Sequence, residues 1–316
     1  VNPKLEEAIE GIAAVHRKCP DLIIAVGGGS AIDMGKLVAL LSAQPTNEYL
    51  SVIQESRLAE KGVPFVAVPT TSGTGSEATR YAVVYIDGVK WSLTHPFVLP
   101  DYAIIDPSLT YNMPPYQTAV SGMDALCQAV ESYWSVNAGR KSRELSGKAV
   151  ATILKNIRAA VGGDTTEARD EMARGSNLAG KAINITETTA PHGISYTLTS
   201  RYDIPHGHAV ALILGRFFRI NALHVHSLTD ARRKASITRT LADIYTMFGC
   251  SDGDACSKRW FQLMEEIGLE TDLAKLGVAA AEDYRAVVES VNERRLKNHP
   301  IPVTRAILSS LFNSMS

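Results

Sequence analysis

Helical and strand-like hydrophobic patterns alternate along the first third of the chain. Apolar residues recur at helical spacing over residues 5–15, and LIIAV, residues 22–26, is the short apolar run of a buried parallel strand. A second helix is predicted over residues 31–42, and a second strand over residues 64–70. This alternation predicts an α/β domain with a parallel sheet.

The pattern changes twice further along the chain. Two strand-like runs, YAVVYI and VKWSLT, flank Asp87-Gly88, a dipeptide that favours a type I′ hairpin, and another strand is predicted over residues 102–106. After Pro114-Pro115 the periodicity is helical, without a second sheet. Helices are predicted over residues 116–136, 142–161, 167–183, 208–223, 228–248, 258–267 and 282–291. We therefore predict an α/β domain over residues 1–113 and an all-helical domain over residues 114–316.

Composition and charge exclude several classes of protein. The chain is 45% hydrophobic and 21% charged, with a mean hydropathy of -0.01, which is typical of a soluble globular protein. Its net charge of -1 provides no field that would attract nucleic acid or a membrane surface. No segment approaches the roughly 20 apolar residues of a membrane helix. Four cysteines without a CxxC pair indicate structural thiols, and we expect a cytoplasmic protein.

Loops rich in glycine, serine and threonine follow the first two predicted strands. The first, GGGS, opens a helix, and the second is TTSGTGSE, residues 70–77. Such a loop offers backbone N–H groups and a helix dipole to an anion, although one loop alone fits a structural turn equally well. Because parallel strands end at the same edge of a sheet, two such loops favour a diphosphate site.

The helical half contains candidate metal ligands. Asp124 and Gln128 lie four residues apart and share a helix face, while His192, His206 and His208 fall within 17 residues. A carboxylate with neutral imidazoles suits a divalent transition metal, with a coordination position left for substrate. The alternatives are an ordinary helical aspartate and satisfied core histidines.

Four motifs together resemble the iron-containing (group III) alcohol dehydrogenase family: GGGSAID, PTTSGTGSE, GMDALCQAVESYW and the repeated PHG. The resemblance covers nearly the whole chain. It implies a Rossmann-like dinucleotide-binding domain followed by a helical metal-binding domain, an architecture shared with dehydroquinate synthase. NAD(H) or NADP(H), Fe²⁺ or Zn²⁺, and a homodimer are the implied cofactors and assembly. Compared with the family, the chain is expected to lack the first strand, helix and strand.

The resemblance also assigns residues by motif. The implied dinucleotide-binding residues are Gly28, Gly29, Ser30 and Asp33 on one wall, Thr70, Thr71, Thr74 and Thr79 on the other, and Lys90 at the ribose.

The implied metal ligands include Asp124 and the pair His192 and His206, which are fourteen residues apart as in the family. The family has a histidine where this chain has Gln128, a weaker donor, and often another histidine where this chain has Tyr196. A bound divalent ion polarises a carbonyl oxygen while the nicotinamide supplies hydride, so the product needs a proton. The candidates to deliver it are Tyr196 and His208; for Tyr196, simple packing is an equal alternative.

The substrate prediction depends on a branch of the family. The segment NLAGKAINITETTAPH and the Gln128 replacement resemble phosphonoacetaldehyde reductases. A basic C-terminal loop carries Arg294, Arg295 and Lys297, which suit a dianionic phosphonate, although a solvated charge run is the alternative. Lys181 and Arg201 are weaker candidates of the same kind.

The favoured reaction is reduction of phosphonoacetaldehyde to 2-hydroxyethylphosphonate. The alternatives within the family are a general short-chain alcohol or diol dehydrogenase and a sulfonate aldehyde reductase. Outside it, the sequence leaves open a non-catalytic dinucleotide-binding protein and a cyclase related to dehydroquinate synthase.

The basic loop generates the first testable prediction. Replacing Arg294 and Arg295 together by Gln should raise KM for phosphonoacetaldehyde far more than KM for propanal, because only the first substrate carries an anion. Steady-state kinetics with both aldehydes measures this difference. Equal effects on the two substrates would refute an anion-binding role for the pair.

Overall fold

The N-terminal part of the molecule is built on a small parallel sheet. The computed structural model describes residues 3–291 and 296–313. Strand β1 (Ile23–Gly27) pairs in parallel with β2 (Phe65–Pro69), and β2 pairs with a third strand, β5 (Tyr102–Ala103), which is shorter than predicted. Helices α1 (Leu5–Lys18), α2 (Gly29–Leu41) and the unpredicted α3 (Tyr49–Glu55) accompany these strands.

The faces of this sheet differ in burial. Ala25, at the middle of β1, is buried with Ile32 of α2 and with Phe65 and Ala67 of β2. Ile24 and Val26 point the other way and are 56% and 59% exposed. Helix α2 therefore covers one face of β1, and it begins directly where that strand ends.

The predicted hairpin is confirmed. Strands β3 (Tyr81–Ile86) and β4 (Val89–Thr94) pair antiparallel, with Ile86 opposite Val89. The two turn residues, Asp87 and Gly88, both have positive φ angles, 50° and 76°, as a type I′ turn requires. The hairpin packs against α1 and α2 and places Lys90 over the ring of Tyr196.

The rest of the described chain, to residue 313, contains helices and no strand. The helices are α4 (Pro115–Trp134), α5 (Arg140–Gly162), α6 (Thr166–Thr186), α7 (Ala190–Tyr202), α8 (His206–His224), α9 (Ala231–Met247), α10 (Gly253–Glu266), α11 (Ala281–Glu289) and α12 (Arg305–Asn313). Helix α4 is buried from Thr118 to Ser132 and forms the centre of this helical core. The predicted fold class is confirmed: a parallel-sheet domain followed by a helical domain. None of the described helices is both long and apolar enough to cross a membrane.

The sequence pattern did not predict α7, for a physical reason. Every residue from Ala190 to Ser195 is buried, so the first half of this helix has no polar face to produce an amphipathic pattern. Its start is instead marked by Pro191, since proline is well tolerated in the first turn of a helix. The histidine that follows is thereby fixed in the buried end of a helix.

The two parts of the chain meet through glycines. Gly75, in the loop after β2, has a φ of 63°, and a Cβ added there would lie 2.5 Å from Gly180 Cα on α6. In the same loop, a Cβ at Gly73 would lie 2.6 Å from Ser121 Cβ on α4. Only bare backbone fits in these contacts, so the loop rests directly on the helices that carry the site described below.

The contact between Gly75 and Gly180 can be tested with a matched pair of helix glycines. Gly180→Ala should destabilise the protein by about 1–3 kcal/mol, because its Cβ has no room. Gly147→Ala, in α5, should instead stabilise it by up to ~1 kcal/mol, because its Cβ would meet only Tyr133 and Met247 at ordinary contact distances, 3.6 and 3.7 Å. Denaturant unfolding measures both, and equal free-energy changes would contradict the close packing.

Candidate dinucleotide and metal site

The two glycine-rich loops touch at the carboxyl edge of the parallel sheet. A Cβ added to Gly28 would lie 3.4 Å from Thr71 Cγ2, and one added to Gly29 would lie 2.6 Å from Thr74 Cγ2. Ser30 and Thr74 are exposed there, and α2 begins at Gly29. The predicted residues Gly28, Gly29, Ser30, Thr71 and Thr74 are thus adjacent, beside a helix N-terminus that favours an anion.

Other predicted dinucleotide-binding residues hold these loops together. Asp33 accepts hydrogen bonds from Ser76 Oγ at 2.5 Å and from Val83 N at 3.0 Å, and burial is the main reason its pKa is raised. Thr79 is buried, and Thr70 N donates to Gly27 O at 2.9 Å. Asp33 therefore joins α2 to both the second loop and the hairpin.

Lys36 belongs to the same network and was not predicted from the sequence. Its Nζ donates to Thr79 O at 3.0 Å and to Tyr81 O at 2.7 Å, and lies 3.8 Å from Asp33. Burial lowers the pKa of this lysine to about 8, against the opposing effect of Asp33. A lysine and an aspartate three residues apart in an apolar helix were the available signal.

Three helices bring the predicted metal ligands together. Asp124 lies on α4, His192 in the first turn of α7 and His206 at the start of α8, and their ligand atoms all lie within 4.8 Å of one another. The Nε2 atom of His192 is 3.4 Å from Asp124 Oδ1. Proline begins or precedes both of the later helices, so each histidine lies at a fixed helix terminus.

The cluster concentrates negative charge. Burial alone would raise the pKa of Asp124, but the neighbouring His192 and His206 outweigh it and the pKa lies below its ordinary value. Burial likewise disfavours the protonated form of His192, but the carboxylates of Glu131 and Asp124 raise its pKa to about 9. A cation is therefore favoured between these groups.

Gln128 connects this cluster to the dinucleotide loop. Its Nε2 donates to Thr74 O at 3.1 Å, which leaves its buried Oε1 without a hydrogen-bond partner in the described structure. Asp124 Oδ1, 3.4 Å from His192 Nε2, is a second buried oxygen that accepts no hydrogen bond in the described structure. Buried acceptors are normally satisfied, so two unsatisfied oxygens beside two imidazoles fit a divalent metal ion.

Glu131 orients His192, a role that the sequence reasoning missed. It is fully buried, and one carboxylate oxygen accepts from Thr189 N at 2.8 Å and Thr189 Oγ1 at 2.9 Å. The other oxygen contacts His192 Nδ1, which leaves Nε2 of that ring directed at Asp124. Asp124, Gln128 and Glu131 follow the i, i+4, i+7 spacing of one helix face, which was the available signal.

Tyr196 and Lys90 extend the cluster towards the hairpin. The Tyr196 ring stacks on the His206 ring, with centroids 5.8 Å apart and planes inclined by 10°. Lys90 Nζ lies 4.0 Å from the centroid of the Tyr196 ring, within the range of a cation–π interaction. A tyrosine and a lysine thus adjoin the candidate metal ligands.

The remaining predicted residues lie elsewhere. His208 is buried, with Nε2 2.6 Å from Glu270 O and Nδ1 3.4 Å from Tyr116 Oη, and burial is the main reason its pKa is lowered. Its ring is thus held by Glu270 and Tyr116 rather than by the ligand cluster. Lys297 is exposed, whereas Arg294 and Arg295 lie outside the described residues.

Comparison with known proteins identifies relatives over the whole chain. The model of the iron-containing alcohol dehydrogenase family matches residues 1–107, and that of the C-terminal domain of the same family matches residues 118–316. Long-chain-alcohol dehydrogenase 1 of Geobacillus thermodenitrificans is 33% identical over 324 residues, covering 99% of this chain and 79% of its own. The 1,3-propanediol dehydrogenase of Klebsiella pneumoniae is 34% identical over 287 residues, covering 89% and 72%.

A solved structure with the same fold also matches nearly the whole chain. The sulfoacetaldehyde reductase of Bifidobacterium kashiwanohense, in complex with NAD⁺, superposes with a TM-score of 0.88 at 30% identity, covering 99% of this chain and 81% of its own. Fold and site together define an oxidoreductase that uses a nicotinamide dinucleotide and a metal ion. The chain belongs to the iron-containing alcohol dehydrogenase family, whose members act on alcohols and aldehydes with NAD(H) and iron.

The position of Gln128 predicts a gain in metal affinity. Gln128→His should lower the Kd for Zn²⁺ by at least about tenfold, because imidazole is a stronger donor than an amide oxygen. Gln128→Ala should raise that Kd, since it removes the oxygen altogether. Competition with a chromogenic chelator measures both, and identical affinities in the two variants would show that position 128 does not contact the metal.

Proposed function

We propose that this protein reduces a small aldehyde bearing an anionic head group to the primary alcohol, with phosphonoacetaldehyde as the favoured substrate. The balanced reaction consumes one aldehyde, one NAD(P)H and one proton, and releases the alcohol and NAD(P)⁺. The observation that carries the oxidoreductase chemistry is the pair of unsatisfied buried oxygens, on Asp124 and Gln128, next to His192 and His206 and behind the dinucleotide loop.

Each group of the candidate dinucleotide and metal site has a definable task. When bound, the divalent ion polarises the aldehyde carbonyl and the nicotinamide supplies hydride. Asp124, Gln128, His192 and His206 would hold the ion. Glu131 fixes the orientation of His192. The glycine-rich loops would bind the diphosphate by donating backbone N–H groups to its oxygens.

Tyr196 is the stronger candidate for returning a proton to the product. Its ring stacks on the ring of His206, and Lys90 Nζ lies 4.0 Å from the centroid of the Tyr196 ring, so its hydroxyl belongs to a group that adjoins the candidate metal ligands. His208, the second candidate, has its ring nitrogens directed at Glu270 O and Tyr116 Oη. Proton delivery is therefore assigned to Tyr196, with His208 supporting the base of α8.

Preference for an anionic aldehyde is supported by positive charge near the cluster. The Lys90 ammonium is next to Tyr196. The sequence carries three further cationic residues, Arg294, Arg295 and Lys297, shortly before His299, and we propose that they contribute to binding the anion. A phosphonate and a sulfonate share the property that such cations recognise, a compact oxyanion. The similarity to a sulfoacetaldehyde reductase makes the sulfonate aldehyde the natural comparison substrate.

A second candidate function is general oxidation and reduction of short-chain alcohols or diols. It is favoured by the 34% identity to a 1,3-propanediol dehydrogenase. Such an enzyme needs the same dinucleotide and metal chemistry but no cation for the substrate. Substrate choice alone separates the two functions.

The deciding experiment follows NADH and NADPH oxidation by Fe²⁺- or Zn²⁺-loaded protein. Phosphonoacetaldehyde, sulfoacetaldehyde and propanal are compared at matched concentrations. We expect kcat/KM for the phosphonate to exceed that for propanal by about 100-fold or more. This factor corresponds to about 3 kcal/mol, which is what charge-assisted hydrogen bonds to the head group can contribute. Preference for the sulfonate would reassign the head group, and equal values for the three aldehydes would favour the general dehydrogenase.

A further inference from the structure

The turn between α6 and α7 holds a strained residue. Glu187 has φ 60° and ψ 171°, a backbone region that is essentially restricted to glycine and costs about 1–3 kcal/mol for other residues. This turn leads directly into the helix that carries His192. Such a conformation persists only where the surrounding structure enforces it. The residues that contact this turn are therefore candidates for holding it in place.

Asn298 supplies contacts that hold the turn. Its Nδ2 donates to Glu187 Oε2 at 3.1 Å and lies 3.4 Å from Thr188 O. The backbone carbonyl oxygen of Asn298 accepts from Val136 N at 3.0 Å, which fixes Asn298 to the segment just after α4. A residue from the C-terminal segment therefore joins the helix of Asp124 to the strained turn.

The next residue, His299, reaches deeper. Its Nδ1 lies 3.3 Å from Thr189 Oγ1 and its Nε2 2.9 Å from the side-chain amide of Asn221. The ring meets Trp134 and Phe217 edge-on, at centroid distances of 5.5 and 4.7 Å. Burial lowers its pKa to about 3, so the neutral imidazole carries a single proton. Nδ1 donates this proton to Thr189 Oγ1, and Nε2 accepts from the Asn221 amide nitrogen, which has no other hydrogen-bond partner in the described structure.

Thr189 connects His299 to the candidate metal cluster through hydrogen bonds. Its single hydroxyl proton goes to Glu131 Oε1 at 2.9 Å, and its oxygen accepts from Trp134 Nε1 at 3.0 Å and faces His299. Glu131 in turn contacts His192 Nδ1. A continuous chain of buried polar contacts thus leads from His299 through Thr189 and Glu131 to a candidate metal ligand.

We propose that Asn298 and His299, together the C-terminal clamp, are positioning residues for the metal site. The clamp holds the strained turn and Thr189, and thereby sets the orientation of the Glu131–His192 pair. The inference rests on the proposed metal site.

Metal affinity and ligand geometry distinguish positioning from simple packing. Outer partners of metal ligands typically contribute about 10–100-fold to metal affinity, so Thr189→Val should raise the Kd for Zn²⁺ by about that factor. His299→Phe, one contact further out, should raise it about three- to tenfold. His299→Asn, which keeps a donor near Nδ1, should recover most of this loss.

The experiment measures three quantities on the full chain. Chelator competition gives the Zn²⁺ Kd, the visible absorption of the Co²⁺-substituted protein reports ligand geometry, and thermal unfolding of metal-free protein reports stability. The matched control is Thr240→Val, which removes a buried threonine hydroxyl that donates to Ser236 O at 3.1 Å within α9. It should change stability without changing the Zn²⁺ Kd or the Co²⁺ spectrum.

Each outcome decides the proposal. Weaker Zn²⁺ binding and an altered Co²⁺ spectrum in Thr189→Val and His299→Phe, with recovery in His299→Asn, would establish the clamp. Unchanged Kd and spectrum in these variants, with lowered stability like that of Thr240→Val, would overturn it while leaving the proposed function intact. Failure of the wild-type protein to bind Zn²⁺ or Co²⁺ would overturn the metal site and the clamp together.

Discussion

The approach of Gly75 to Gly180 is the contact on which the rest of the site depends. The second glycine-rich loop can rest on α6 only because neither residue has a Cβ, and the same loop lies against α4 through Gly73. This contact brings Thr74 within hydrogen-bonding distance of Gln128, so the dinucleotide loop and the metal cluster share one amide side chain. The contact between Gly75 and Gly180 therefore allows the dinucleotide loop and the candidate metal cluster to adjoin.

Asp33, Glu131 and Asp124 have different roles, which their partners define. Asp33 is satisfied by Ser76 and Val83 and joins secondary structure elements. Glu131 is satisfied by Thr189 and His192 and orients a ring. Asp124 retains an oxygen without a hydrogen-bond partner in the described structure, and a buried charge in that condition is stabilised by a cation. The proposed metal site thus uses the acid whose hydrogen-bond partners are incomplete.

The fold was largely predictable where an element leaves a local hydrophobic pattern. The apolar runs of β1 and β2, the Asp87-Gly88 hairpin and the long amphipathic helices all leave a local pattern in the sequence. Helix α7 leaves none, because the residues around His192 are buried on every side. The start of such a helix is visible only as a proline, and its existence depends on the helices packed around it.

For the site, the sequence determined the chemical groups: the glycine-rich loops, Asp124 and the two PHG histidines are local motifs that are visible without the fold. Tertiary structure alone decided their partners. Glu131, Lys36, Asn298 and His299 acquire roles only through contacts with residues distant in the chain, such as the 110 residues that separate Thr189 from His299. Hydrogen-bond partnership depends on positions in space, so a local spacing could point to Glu131 and Lys36 but could not identify their partners.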